Sequence, residues 1–362
     1  MSSRRRRLRV IQWATGVVGR HAVAAIAAHP DLELVGARVY SEAKAGRDVG
    51  ELCGLAPIGV AATSSTDEVL ALEADCVLYA AQGEANPMRA VEDICRLLAS
   101  GKNVVSTAVT GLIHPKSLGA AVVDRIEAAC RKGRASFHGT GIEPGWAAEV
   151  LPLTMSGLFR RIESIRVQEL MDYSSYPSSQ MLIDIMGFGR APDAPVPLAD
   201  PRLAGATFRA PILLVADGLG ASLEDFAYTR EVAVADRTFS IAAGEIREGT
   251  VAAQRFGCSG IIAGRPAITV EHITRVGVGQ APHWPSGRGW RVRIEGEPSM
   301  MMEATIAVNG EDETDQGCLG TAMHAVHAIP HVCAATPGIR TFLDLPIITG
   351  RGTIAFGQGP LV

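Results

Sequence analysis

Residues 10–26 read VIQWATGVVGRHAVAAI, and this stretch decides the fold. Val10, Ile11 and Trp13 make a short apolar run of strand length, Gly16 and Gly19 supply a turn, and Val18, Ala22, Ala25 and Ile26 then recur at helical spacing. A strand, a glycine turn and a helix in this order open a dinucleotide site. The backbone at Gly16 can approach a pyrophosphate, Gly19 lets the helix lie close on the strand, and the free amides of the helix point at the anion. Ala14 stands where G-x-G-x-x-G has its first glycine, an exchange that a turn with negative φ tolerates. The stretch predicts a nicotinamide dinucleotide held by Thr15, Gly16, Val17, Val18 and Gly19.

Outward from the turn the same grammar repeats. Strands are predicted at residues 32–40, briefly around Val60, and at 75–81, 103–108 and 135–140. Helices fall between them, one of them opened by Asn86 and Pro87 as cap and first helical residue. Such alternation implies a parallel, doubly wound sheet with right-handed crossovers. After about residue 145 the pattern changes. A helix is predicted over 146–156, a strand over 163–174, and helices over 180–186 and 211–226, with the proline-rich loop 191–203 between these two. Residues 228–306 are rich in strands, residues 318–334 form a helix, and residues 336–348 are expected to pack back on the first domain. The fold class is therefore α/β. A Rossmann domain spans 1–145 and is completed by 335–362, and an α+β domain with a mixed or antiparallel sheet spans 146–334 for substrate binding and dimerisation.

The chain of 362 residues exceeds one small core, and 47% hydrophobic with 20% charged residues marks a globular protein. A net charge of −4 gives no standing attraction to nucleic acid or to an anionic membrane. The basic cluster at residues 4–7 with Arg9 reads as a solvated tail, because Gly16 and Gly19 interrupt the apolar core that an export signal needs. The 7 cysteines are scattered through apolar segments without a C-x-x-C. They read as reduced residues of a cytoplasmic protein, with no disulfide or metal site.

An NAD-selective site carries a carboxylate at the tip of the second strand. Here Ser41 takes that place, with Lys44 and Arg47 just beyond, which suits a 2′-phosphate and favours NADP over NAD; Glu42 speaks for NAD. At the carboxyl ends of the later strands, Ala80 and Ala81 leave room for the cofactor, and Gln82, Thr107 and Gly141 are placed to touch it. Glu143 is the first candidate for acid/base or amine-anchoring work, and a carboxylate at the start of a helix is its other reading. Val109, Thr110 and Trp146 are candidate walls of the substrate pocket. Tyr173, after Glu169 and Asp172, is either a hydrogen-bond donor to substrate or a packing residue, and His272 is either an inward-facing catalytic group or a structural one. His138 supports the turn after it. His324, His327 and His331 share one side of the last helix and read as helix surface or dimer contact rather than as metal ligands.

Taken together, RVIQWATGVVGR (9–20), VYSEAKAGRDVGELCG (39–54), GKNVVSTAVTGLIHP (101–115), GTGIEPGWAAEVLPL (139–153) and ATPGIRTFLDLP (335–346) resemble the dihydrodipicolinate reductase-like oxidoreductases. The branch they resemble is that of 2,4-diaminopentanoate dehydrogenase and the NAD(P)-dependent amine dehydrogenases. The resemblance implies a homodimer of Rossmann and α/β domains, an active site in the cleft between domains, and hydride transfer between nicotinamide and a C=N or C–N carbon. Two departures accompany it. The amine dehydrogenases carry a glutamate after the fifth strand, where this chain has Val109, Thr110 and Gly111, and Glu143 replaces the asparagine of the family's GTG-x-N-P-G. The paired histidines and lysine of true dihydrodipicolinate reductases are absent. The expected activity is that of an NADP-dependent oxidoreductase acting on an imine, amine or carbonyl carbon of a small, fairly apolar molecule. An aldehyde or ketone reductase without amine chemistry, and a cofactor-binding protein without catalysis, are the alternatives.

Overall fold

In the computed structural model, which describes residues 6–83, 86–277 and 279–354, the apolar run of the opening stretch is the strand β1 (Leu8–Trp13), with Val10, Ile11 and Trp13 fully buried. Arg4, Arg5 and residues 355–362 lie outside the described residues. After β1 come α1 (Val17–Ala28), β2 (Leu32–Arg38), α2 (Val49–Leu52), β3 (Ala62–Thr63), α3 (Thr66–Ala71), β4 (Cys76–Tyr79), α4 (Pro87–Ala99), β5 (Asn103–Ser106), α5 (Ala120–Gly133) and β6 (Ser136–Gly139). α4 begins where Asn86 accepts a hydrogen bond from the Arg89 amide, with Pro87 in the first turn. The half-buried Asp48 carboxylate accepts from the amides of Gly50, Glu51, Ile58 and Gly59, and so closes the loop between β2 and β3.

The second part of the chain contributes α6 (Val150–Ser156), β7 (Arg161–Asp172), α7 (Pro201–Leu219), β8 (Asp225–Val234), β9 (Phe239–Ile241), β10 (Gly244–Ile246), β11 (Val251–Ile262), β12 (Arg265–Arg275), β13 (Gly289–Glu297) and β14 (Met300–Thr305). The long helix α8 (Glu313–Ala334) and the short strand β15 (Gly338–Ile339) close the described chain.

Two compact units result. The first takes Met1–Val109, Ala120–Gly141 and Leu319–Val362; the second takes Thr110–Gly119 and Ile142–Cys318. In the first, a 7-stranded parallel sheet runs β15-β6-β5-β4-β1-β2-β3. This is the doubly wound order, with the carboxyl ends of β1 and β4 adjacent at the point where the chain reverses direction. The apolar side of α8, from Ala322 to Val332, packs in the same core as Val10, Val23, Ile26 and Leu78, which is why the far part of this helix belongs with the first sheet. In the second unit, a 6-stranded mixed sheet runs β14-β13-β7-β12-β11-β8, with β7 and β12 parallel and the other neighbours antiparallel. The helices α6 and α7 lie against it over a core that includes Ile165, Val167, Phe208, Ile212, Phe256 and Val270.

Local boundaries differ from the sequence expectation in three places. The helix expected over 146–156 begins only at Val150, with Glu149 as its flanking residue. The helix expected over 211–226 begins at Pro201, where Asp200 caps the Arg202 amide at 2.9 Å, and stops at Gly220, whose φ of 66 is left-handed. The Asp-Pro pair inside the proline-rich stretch is a helix start, not a continuation of loop. Residues 180–186 form a single π-helical turn over Gln180–Ile185. Among the described residues no helix is long and apolar enough to cross a membrane.

Candidate active site

The glycine turn lies between β1 and α1. Gly16 precedes the helix with extended backbone, and a Cβ built on it would meet nothing within 4 Å. The first turn of α1 carries no acidic side chain, so its amides and the positive end of the helix dipole are open to an anion. Gly19 is under the opposite constraint, since a Cβ there would stand 2.2 Å from the Ala14 carbonyl oxygen. Ala14 itself corrects the expectation of negative φ: it adopts φ 73. Its amide donates to Arg38 O at 2.8 Å and its carbonyl accepts from Gln12 Nε2 at 2.9 Å. The turn keeps the left-handed geometry of the glycine it lacks, at a cost of about 1 kcal/mol.

Around this turn the remaining predicted cofactor residues are set by the strand ends. Lys44 Nζ lies 3.4 Å from Thr15 Oγ1, which brings a cation to the turn. Ser41 is exposed beside it, and Glu42 is engaged by the Ser64 hydroxyl at 3.0 Å. Sequence reasoning overlooked Arg38, the last residue of β2. Its guanidinium is buried, lies over the ring of Tyr40 at 4.1 Å and of Trp13 at 5.3 Å, and Trp13 Nε1 donates to the Tyr40 hydroxyl at 3.0 Å. Its one sequence signal was a lone arginine inside an apolar strand. Ala80 donates its amide to Trp13 O, and Thr107 donates its amide to Tyr79 O, both at 3.0 Å. Ala81 is buried, Gln82 is exposed, and Gly141 follows β6. Val109 is buried with φ 62, a conformation rare for a β-branched residue, and its side chain fills the space beside Gly83. Open space at Gly16, an unopposed helix terminus and a cation at Thr15 fit a dinucleotide.

The second unit brings together the other candidates. Trp290, Glu169 and His272 are direct neighbours across β13, β7 and β12, and Phe256 of β11 continues the row. His272 Nδ1 lies 3.5 Å from Glu169 Oε1, and its Nε2 lies 3.8 Å from Glu143 Oε1. At these distances the contacts are electrostatic rather than good hydrogen bonds. Tyr173 donates its hydroxyl to Glu169 Oε1 at 2.6 Å. Phe208 and Phe256 pack their rings on the imidazole at 4.9 and 5.4 Å. Glu149 is fully buried and accepts the Gly145 amide at 2.7 Å. Trp146, half-buried, meets Trp290 edge-on at 6.5 Å, and Thr110 opens a short 3₁₀ segment, Thr110–Ile113.

Electrostatics follow from burial. Removal from water raises the Glu143 carboxyl above the usual carboxylate range, although His272 opposes the rise. Burial and then the charge of Glu143 raise the Glu149 carboxyl well above the usual carboxylate range. Burial would lower His272, but Glu169 and Glu143 outweigh it and leave the imidazole raised. The Tyr173 hydroxyl is raised by burial and by Glu169, so it is a donor. Glu143 Oε2, Glu149 Oε1, His272 Nε2 and Trp290 Nε1 are buried polar atoms without a hydrogen-bond partner among the described residues. Such atoms are costly unless something polar meets them. Among the described residues no group of His, Cys, Asp or Glu is placed to hold a metal ion.

The helix-start reading belongs to Glu149, which flanks α6, and not to Glu143. Glu169 was visible only as one polar residue of a strand, and Glu149 not at all. The reading of His324 and His327 as plain helix surface is corrected. His324 Nδ1 meets Thr140 Oγ1 at 2.8 Å and its ring stacks on Phe342, while His327 is half-buried beside His29 with ring centroids 6.3 Å apart. Both face inward because α8 packs into the first core.

Comparison with known proteins agrees with this architecture. Residues 147–353 match the 2,4-diaminopentanoate dehydrogenase C-terminal domain, and residues 10–112 match the dihydrodipicolinate reductase N-terminus. An amine dehydrogenase of Streptomyces virginiae is 36% identical over 355 residues, 96% of this chain and 99% of that protein. The 2,4-diaminopentanoate dehydrogenase of Acetoanaerobium sticklandii is 25% identical over 248 residues, 68% of this chain and 67% of the relative. The solved structure of an amine dehydrogenase from Mycobacterium smegmatis shares the fold with a TM-score of 0.77 at 22% identity, covering 96% of this chain and 98% of that one.

Proposed function

Because the chain belongs to the dihydrodipicolinate reductase-like oxidoreductases, in the branch of the amine dehydrogenases, we propose that it is an NADP-dependent amine dehydrogenase for a small, fairly apolar substrate. Membership itself makes the chain an NAD(P)-dependent oxidoreductase acting at an amine or imine. The preference for NADP is supported by Lys44 at Thr15, by the hydroxyl of Ser41, and by the engagement of Glu42 with Ser64. In this reading Thr15, Gly16, Val17, Val18 and Gly19 hold the pyrophosphate, and Ala80, Ala81, Gln82, Thr107 and Gly141 border the rest of the cofactor. The bound cofactor supplies or accepts the hydride.

The observation that carries the amine assignment is the pair Glu143 and Glu169 facing one imidazole, with Glu149 under the charge of Glu143 and with unpartnered buried oxygens on Glu143 and Glu149. A protonated amine donates hydrogen bonds to such carboxylate oxygens; a ketone oxygen donates none. Glu143 holds or releases the proton exchanged with the substrate nitrogen, and burial, which raises its carboxyl above the usual carboxylate range, favours the proton-holding form. His272 faces Glu143 through Nε2 and Glu169 through Nδ1, so it can pass that proton inward. Tyr173 fixes Glu169 and acts through it rather than on substrate. Val109, Thr110 and Trp146 are assigned to the apolar part of the substrate. A cytoplasmic homodimer is part of the same reading, supported by cysteines outside any disulfide and by Met301 and Met302 exposed on the edge strand β14.

Oxidation of NADPH and of NADH with a panel of small ketones and aldehydes, with and without ammonium, tests the function. Ammonium-dependent turnover that is faster with NADPH is expected. Turnover indifferent to ammonium identifies a carbonyl reductase, and binding without turnover identifies a protein that only holds the cofactor.

A further inference from the structure

The last helix carries histidines that the proposed reaction does not use, and one of them reaches the turn that ends β6. Thr140 is almost wholly buried. Its amide donates to Ser106 O at 2.8 Å, tying the turn to the end of β5, and its hydroxyl meets His324 Nδ1 at 2.8 Å. The His324 ring also contacts the backbone of Gly141. It stacks on Phe342 with centroids 5.7 Å apart, and Phe342 in turn meets the ring of His138 edge-on at 4.8 Å. His138 lies on β6, fully buried, and its Nδ1 is 2.7 Å from Arg340 O, while the Arg340 amide donates to Phe137 O at 2.7 Å. The turn is thus gripped from β5, from α8 and from the segment after β15.

We propose that His324 is a positioning residue: it orients Thr140, and through Thr140 the backbone of residues 139–141, for the bound nicotinamide. This rests on the cofactor reading given above, which places the ring at the carboxyl ends of β4, β5 and β6. The choice of residue types supports a directional role. Packing between α8 and β6 alone would be served by two apolar side chains. Instead the contact uses two imidazoles, both neutral because burial pushes them down to about 4, and His138 retains a buried Nε2 without a partner among the described residues. A hydrogen bond to Thr140 fixes a direction that apolar packing leaves loose. With its amide and hydroxyl both committed, Thr140 cannot turn toward a ligand, so the turn presents backbone. Backbone held in this way preorganises the nicotinamide side of the site, and small misplacements there cost far more in rate than in binding.

The test compares His324→Phe, which keeps the stacking on Phe342 but loses the nitrogen, with His324→Asn, whose amide sits where Nδ1 was. Thr140→Val and Thr140→Ser form the matching pair on the other side. Each is assayed with NADPH, ammonium chloride and cyclohexanone, acetone or butanone, whichever the wild type turns over. NADPH affinity is measured by fluorescence, and the deuterium isotope effect of the transferred hydride is recorded. His324→Phe and Thr140→Val are expected to lose about tenfold or more in kcat. Their NADPH affinity should stay within about twofold, their isotope effect should rise, and the double variant should be no slower than the worse single. His324→Asn and Thr140→Ser should recover most of the rate. Should His324→Phe not fold, the isosteric Thr140→Val carries the same expectation. Unchanged kcat in folded His324→Phe or Thr140→Val, or additive losses in the double variant, overturns the proposal while leaving the cofactor reading intact. A wild type that takes up no NADPH overturns both.

Discussion

Gly19→Ala puts the packing of the first turn to a quantitative test. The added methyl would stand 2.2 Å from Ala14 O, 3.0 Å from its carbonyl carbon and 3.2 Å from Gln12 Nε2. Carbon–oxygen contacts settle near roughly 3.5 Å, so α1 or the turn must move by more than about 1 Å. Neither is free to do so. Ala14 is fastened to Arg38 O by its amide and to Gln12 by its carbonyl, and Gln12 is fully buried. Overpacking of this kind costs about 1–3 kcal/mol, and an unsatisfied Gln12 amide adds about 1–3 kcal/mol. The better helix propensity of alanine returns about 1 kcal/mol. The net loss is roughly 1–5 kcal/mol, or about 3–15 °C in the unfolding midpoint for a unit of this size. Scanning calorimetry measures it, with Gly16→Ala as the control. Gly16 has negative φ and open space, so its alanine variant should unfold within about 0.5 kcal/mol of wild type. A Gly19→Ala protein as stable as wild type would refute the close approach of helix and strand on which the cofactor turn depends.

Three other outcomes are expected. Ala14→Gly should stabilise the protein by up to about 1 kcal/mol, because removal of the left-handed strain exceeds the entropy cost of glycine; chemical denaturation measures it, and a loss of stability contradicts the strain. Glu143→Gln should lower kcat by about a hundredfold or more while NADPH affinity holds, and a wild-type rate moves the proton transfer to another group. His138 titrates near 6.5 when unfolded but at about 4 when folded. Its contribution to stability is complete above pH 6.5 and is lost as pH falls toward 4, by roughly 3 kcal/mol in total. His138→Asn, which keeps the contact made by Nδ1, should flatten that decline, and identical acid profiles would contradict it.

What could be read from residues alone was governed by range along the chain. The strand, turn and helix of residues 10–26 are local, and so are the Asn86-Pro87 helix start and the alternation of the first unit. Glu143, His272 and Tyr173 were recognisable as chemical types. Their convergence was not, because it rests on pairing of β7 with β12 and β13, whose residues are more than a hundred apart in sequence. Glu169 gains its role only from that register, opposite both His272 and Trp290. Glu149 was hidden because the helix it flanks was expected to begin earlier. The φ of Ala14 illustrates a different limit: a hydrogen bond to Arg38 on the neighbouring strand, with a local one from the Gln12 side chain, imposes a geometry that alanine does not choose by itself. In the same way, inward burial of α8 decides the role of His324, and spacing on a helix does not reveal which side is covered.

The central claim is that the amides opening α1 receive the cofactor's diphosphate, and calorimetric titration of wild type and Gly16→Ala with NADPH and NADH tests it most directly. Uptake of one NADPH per chain is expected, with weaker binding of NADH and about tenfold or greater loss of NADPH affinity in a Gly16→Ala protein of undiminished stability. Equal affinity in the two proteins, or no uptake of either reduced cofactor by wild type, would contradict it.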